Sequence, residues 1–217
     1  MHFKVFVEDE SGKRVLDVLI GKIIGSDHTF KVYPYRGMGR TPENLKTTGD
    51  PKKRILLQRL PKILQGLGDV HAGYSDNYSE AVVVVCDLDR KDRDEFLQEL
   101  LGVLNQCNPR PEVRFCLAIE EGEAWLLGDI PAIKAAYPRA KNRVLNSYKN
   151  DSICGTWELL ANAVYKGGVS SLKTRGRQAV GAEKSRWAEE ISPHMDVNNN
   201  ASPSFNYFRK SLLGLIQ

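Results

Sequence analysis

The sequence predicts an α/β protein built on a parallel, doubly wound sheet. Three observations carry that prediction. Strand-like and helix-like hydrophobic patterns alternate through residues 1–136, reading β-α-β-α-β-α-β-α. The run Ala81–Cys86, AVVVVC, holds four consecutive valines with no polar alternation, as a strand buried on both faces requires. Strand candidates end in short polar turns that lead on toward amphipathic helical stripes.

The elements follow in order. Phe3–Val7 is a short apolar run with β-branched residues and predicts the first strand. Ser11 offers a helix N-cap. Behind it Val15, Leu16, Leu19, Ile20, Ile23 and Ile24 form one helical stripe. Phe30–Tyr35 predicts a second strand, ending at the glycine-rich turn Arg36-Gly37-Met38-Gly39-Arg40. Residues 41–50 are polar and predict a loop. Pro51 suits the first turn of a helix whose buried face is marked by Ile55, Leu56, Leu60, Ile63, Leu64 and Leu67. Gly66, Gly68, Gly73 and the polar stretch His71–Ser79 predict the next loop. The valine-rich strand runs straight into Asp87-Leu88-Asp89. A helix is predicted from about Asp92, with Phe96, Leu97, Leu100, Leu101 and Leu104 inward, until Asn108-Pro109-Arg110-Pro111 breaks it. Val113–Ile119 predicts the fourth strand. Ala124–Leu127 begins a helix, and Asp129-Ile130-Pro131 caps another.

Residues 1–137 therefore predict the α/β domain, and residues 138–217 an appended, mainly helical region packed on it. In that region helices are predicted around Thr156–Tyr165 and Ser204–Ile216. The charge is uneven. Residues 1–138 carry 19 Lys+Arg against 21 Asp+Glu, a net of −2, whereas residues 139–217 carry 12 against 6, a net of +6. A basic part after an acid-centred part suits a metal site beside a polyanion-binding surface, although such a surplus also suits a plain soluble surface.

Composition excludes several classes. The charged fraction of 27% and hydrophobic fraction of 41% argue against disorder. No apolar run approaches the roughly 18 residues of a membrane span. The start MHFKVFVEDE turns acidic too soon for a signal peptide, so the expected compartment is the cytoplasm. Cys86, Cys107, Cys116 and Cys154 form no CxxC pair, and His2, His28, His71 and His194 are scattered. Neither a zinc site nor a disulfide framework is expected, and buried reduced thiols are.

The acidic residues are the candidate chemistry. In open parallel sheets ligands bind beyond the carboxyl ends of the strands. Three predicted strands end in acids: Val7 gives Glu8, Cys86 gives Asp87 and Asp89, and Ile119 gives Glu120, Glu121 and Glu123. Such a cluster repels itself without a cation, and hard oxygen ligands suit Mg²⁺ or Mn²⁺. Asp87 and Asp89, two residues apart, are expected on one side of the chain. Alternatives stand beside this. An acid after a strand also serves as an ordinary helix N-cap, the reading for Asp92. Arg36 suits a phosphate contact and equally a surface turn. Trp157 and Trp187 are expected in the core.

These residues carry a resemblance. A strand ending in Val7-Glu8, a turn into a helix, and a later buried strand ending in Asp87-Leu88-Asp89 resemble the Toprim domain of type IA and type II topoisomerases, bacterial primases and OLD-family nucleases. Val7–Ser11, Arg36-Gly37, the segment Glu121-Gly122-Glu123-Ala124-Trp125-Leu126-Leu127-Gly128-Asp129 and the stretch Asn200-Ala201-Ser202-Pro203-Ser204-Phe205 resemble, in order, marks of a bacterial Toprim-like family, domain of unknown function 4276. The chain departs from that family at Asp9, where a glycine is usual, and at Gly12, where an acid is usual. Asp9 is expected to crowd a backbone that approaches metal or phosphate closely, or Glu10 to replace the lost acid.

The resemblance implies a Toprim-like, Rossmann-type fold and a Mg²⁺ site on Glu8, Asp87 and Asp89. Glu123 is implied as a further member, and Glu121 and Glu10 as additional acids. The metal would polarise a phosphoryl oxygen and activate water. A chain of 217 residues leaves no room for the strand-passage or polymerase domains of topoisomerases and primases. What remains is phosphodiester hydrolysis of DNA or RNA, with Arg36, Lys166, Lys173, Arg175, Arg177, Lys184 and Arg186 as the phosphate-binding set. Two other readings stay open. One is a partner subunit of an ABC/AAA-type ATPase acting in trans, since the chain has no GxxxxGK[ST] loop. The other is a DxD-dependent small-molecule phosphoryl or glycosyl enzyme.

Overall fold

The structure is a computed structural model, and it describes residues 1–42, 51–73 and 79–216. The predicted loops at 41–50 and 71–79 fall largely outside the described residues.

Four strands form one parallel sheet: β1 (His2–Val7), β2 (Thr29–Pro34), β3 (Glu80–Asp87) and β4 (Val113–Ala118). Their order is β2-β1-β3-β4. The register sets Val7 beside both Pro34 and Val85, so the carboxyl ends of the three strands lie nearly level. Helices α1 (Glu10–Ile24), α2 (Leu56–His71) and α3 (Arg93–Asn105) make the crossovers. The chain leaves β1 toward β2 and leaves β3 toward β4, in opposite directions. Right-handed crossovers then put α1 on one face and α2 and α3 on the other. The side chains obey this. Phe3, Val5, Val7, Val83 and Val85 join the α1 core, while Phe6, Val82, Val84, Cys86 and Phe115 join the core under α2 and α3.

After β4 the chain is helical: α4 (Glu123–Leu127), α5 (Ile130–Ala136), α6 (Asn142–Leu145), α7 (Thr156–Val164), α8 (Gly168–Lys173), α9 (Arg177–Ile191) and α10 (Pro203–Leu213). These helices share the α1 core. Leu160, Leu172, Trp187, Phe205 and Phe208 are buried in the same cluster as Val83 and Leu16. The region thus closes one face of the sheet, which α1 alone leaves open.

Several local expectations are corrected. The cap of α1 is Asp9, not Ser11. The Asp9 carboxylate accepts from the Gly12 N–H at 2.7 Å, and the Ser11 hydroxyl donates to it in turn. α2 begins at Leu56 rather than at Pro51, which lies in a short 3₁₀ turn. Gly66 and Gly68 lie inside α2, not in a loop. A Cβ on Gly68 would stand 1.9 Å from the Pro109 carbonyl oxygen, so glycine there lets the helix meet the following loop. Cys86, Cys107 and Cys116 are buried free thiols, but Cys154 is exposed. α8 and α9 carry too little apolar periodicity to be read from sequence, with only Trp187, Ala188 and Ile191 buried on α9.

Candidate active site

The strand order puts the topological switch point between β1 and β3, where connections leave in opposite directions. That crevice is where open α/β sheets take ligands. Glu8 follows β1 and Asp87 ends β3, so the two carboxyls flank it. They are hydrogen-bonded to each other. Burial pushes both above the usual carboxylate range, Asp87 furthest, and its pairing with Glu8 adds to that. Asp9 and Asp89 add to the rise at Glu8. Two carboxyls so paired resist ionising together unless a cation compensates.

The compensating cation comes from the helical region. Lys184, on α9, lies 3.2 Å from a Glu123 oxygen and 3.4 Å from a Glu121 oxygen, with its side chain 16% exposed. Burial disfavours its charge, but Glu123, Glu121, Asp87 and Asp9 outweigh this and hold the ammonium protonated. Glu123 is fully enclosed. Burial, offset in part by Lys184, pushes its carboxyl up to about 7. A cavity of about 30 Å³ lies among Glu8, Gly12, Asp87, Glu123 and Lys184, space for a single water-sized occupant. Gly12 belongs to this packing. A Cβ there would sit 2.6 Å from a Val7 methyl, so an acid at this position would collide with the strand end that carries Glu8.

The other acids separate. Asp87 is half-buried, Leu88 is buried, and Asp89 is exposed with φ of 52°. Glu120 turns away from the site. At φ of 64° its carboxylate accepts the N–H groups of Cys154, Gly155 and Thr156 at 2.7–3.2 Å, the start of α7. Glu121 accepts from the Thr156 hydroxyl and faces Lys184. Glu10 is exposed in the first turn of α1. Asp9 caps α1.

The phosphate-binding residues divide as well. Arg36 is exposed beside β1, where the Gly37 N–H donates to the Glu8 carbonyl. Lys184 lies in the acidic crevice, not on the surface. Lys173 pairs with Glu158, Arg175 donates to the Tyr165 hydroxyl, and Arg186 pairs with Glu190. Lys166 and Arg177 are exposed. Trp187 is core, but Trp157 is half-buried under Lys173.

The EAWLLGD and NASPSF segments hold each other. The Trp125 indole donates to the Ser204 hydroxyl at 2.9 Å, the Asn200 amide donates to the Trp125 carbonyl at 2.8 Å, and the Trp125 ring stacks on Phe208. Asp129 caps α5 and also accepts from the Asp196 N–H. Of these segments Gly122, Glu123, Trp125 and Leu126 line the cavity, and Glu121 meets it through Lys184.

The residues suit a hard divalent cation in kind. The donors are carboxylate oxygens, and a cation between Glu8 and Asp87 would relieve the opposition of their charges. As they lie, among the described residues, no three Asp, Glu, His or Cys side chains converge on one point. Lys184 holds Glu121 and Glu123, and Asp89 stands outside. No family model, curated protein or solved structure matches the chain. Among the described residues, no helix is long and apolar enough to cross a membrane.

Proposed function

We propose that this chain is a Toprim-like, divalent-metal-dependent phosphodiesterase acting on nucleic acid. The observation that carries the reading is the pairing of Glu8 and Asp87 at the switch point, with Lys184 beside them. In this reading Glu8 and Asp87 would hold Mg²⁺ or Mn²⁺, with Asp89 as a third ligand. The cation, when bound, polarises a phosphoryl oxygen and lowers the pKa of water. Lys184 meets the negative charge that develops on the phosphate. Glu121 and Glu123 fix its ammonium in place and keep it protonated. Burial of the crevice strengthens each of these charge interactions.

The test is cleavage of supercoiled plasmid, a single-stranded DNA and an RNA, each with Mn²⁺, Mg²⁺ or EDTA. The wild type is compared with Asp87→Ala, Glu8→Ala and Lys184→Met. Cleavage is expected only with metal, and each variant is expected to lose at least ~100-fold in rate. Absence of cleavage of all three substrates, or variants as active as the wild type, would sink the reading.

A further inference from the structure

The sequence puts the polyanion-binding surface on the basic helices after residue 138. The structure assigns it elsewhere. We propose that the nucleic acid lies across a basic rim built by the turn after β2, the start of α2 and the turn after β3. This inference rests on the phosphodiesterase reading and names the path of its substrate.

The rim is assembled from three separated segments carrying Arg36, Arg40, Lys53, Arg54, Arg90 and Lys91. They are one surface. The Arg36 N–H donates to the Arg54 carbonyl at 2.8 Å, and the Leu57 N–H donates to the Met38 carbonyl at 2.9 Å. The Lys91 ammonium lies 3.5 Å from the Met38 sulfur. The Gly37 N–H donates to the Glu8 carbonyl at 2.7 Å, which fixes the rim to the crevice. Asp89 immediately precedes Arg90.

All six cations except the half-buried Lys91 are exposed. Among the described residues none of the six is ion-paired with a carboxylate. Two are instead held on aromatic faces. Lys91 stands 3.8 Å from the centre of the Phe96 ring, and the Arg54 guanidinium 5.8 Å from that of Tyr35. Aromatic seating orients a cation and leaves its charge unneutralised. Of the six C-terminal cations expected to meet phosphate, four are engaged, and Lys166 and Arg177 are exposed. Lys173, Lys184 and Arg186 are each paired with a glutamate, and Arg175 donates to a tyrosine hydroxyl. Unpaired cations level with the strand ends are what a phosphate backbone meets as it enters the crevice.

The test is anisotropy titration of a fluorescein-labelled DNA duplex, and of its single strand, in EDTA across a salt series. Arg36→Glu/Arg54→Glu/Arg90→Glu is expected to weaken binding at least ~10-fold at low salt and to flatten the salt slope by about one for each arginine that meets a phosphate. The Arg→Gln counterpart is expected to fall between it and the wild type, and carries the comparison if the reversed variant melts early. Lys166→Glu/Arg177→Glu is expected to bind within about twofold of the wild type. Equal or larger loss in that second pair overturns the proposal. So does failure of the wild type to bind either DNA, or preference for phosphatidylserine vesicles over DNA. Because the titration contains no divalent metal, its result is independent of plasmid cleavage. Rim-dependent binding without any cleavage would remove the phosphodiesterase reading and leave the surface standing.

Discussion

At the scale of the residue, the molecule stores a cost at Glu8 and Asp87. Two carboxyls buried in contact are worth less to the fold than two hydrogen-bonded amides of the same shape, because ionising either is resisted by burial and by its neighbour. The sign of the pH dependence follows. A carboxyl whose folded pKa is raised binds more protons folded than unfolded between the two values. Stability therefore falls as pH rises from the ordinary carboxylate range up through the raised values. Asp87→Asn removes the larger share of that penalty. In EDTA near neutral pH, Asp87→Asn is expected to raise the melting temperature by roughly 2–4 °C per kcal/mol recovered. The gain is expected to shrink as pH is lowered toward 4. A calorimetric pH series checks both; a variant that melts lower than the wild type at neutral pH contradicts the buried-pair account. Glu8 and Asp87 were legible because each stands directly behind an apolar strand. Lys184 was not. Its helix, RQAVGAEKSRWAEEI, shows mixed charge and almost no stripe, so the lysine reads as one more solvated cation.

At the scale of the element, the loop after β4 separates three acids that look alike in sequence. Glu120, Glu121 and Glu123 lie within four residues, and only the left-handed backbone at Glu120 decides that its carboxylate reaches α7 while the other two meet Lys184. No local pattern signals that turn, because the partner N–H groups are some 34–36 residues away. Glu120→Gln keeps the shape and loses the charge-assisted bonds to the start of α7. It is expected to cost about 1–3 kcal/mol, read as a lower urea midpoint with an unchanged slope. An unchanged midpoint would show that α7 is held by its packing alone. The four strands were legible to within about two residues because their apolar, β-branched runs carry no competing periodicity, and β1, β3 and β4 are buried on both faces. The helix starts were less so. At Asp9 and Leu56 the deciding contacts are a side-chain cap and a backbone bridge to the β2 turn, neither of which hydrophobic spacing encodes.

At the scale of the whole molecule, the helical region is part of the core and part of the site. Trp125 lies between Phe205 and Phe208, and Trp187 and Leu160 share the cluster of Val83 and Val85. The sequence marks a change of pattern near residue 138, but a change of pattern is not a boundary between cores. A chain ending at residue 137 would expose the part of that sheet face which α1 leaves open, and lose Lys184. It is expected to give no cooperative thermal transition and to bind a hydrophobic dye. A sharp melt in that truncated chain would show an independent α/β domain.

The central proposal is that Glu8 and Asp87 hold a divalent cation between them. Anomalous diffraction from a crystal soaked in Mn²⁺ tests it most directly. The account predicts a peak between the Glu8 and Asp87 carboxylates, with the direct hydrogen bond between them broken. A site without density, in which the two carboxyls remain bonded to each other and Lys184 keeps its place, would contradict it.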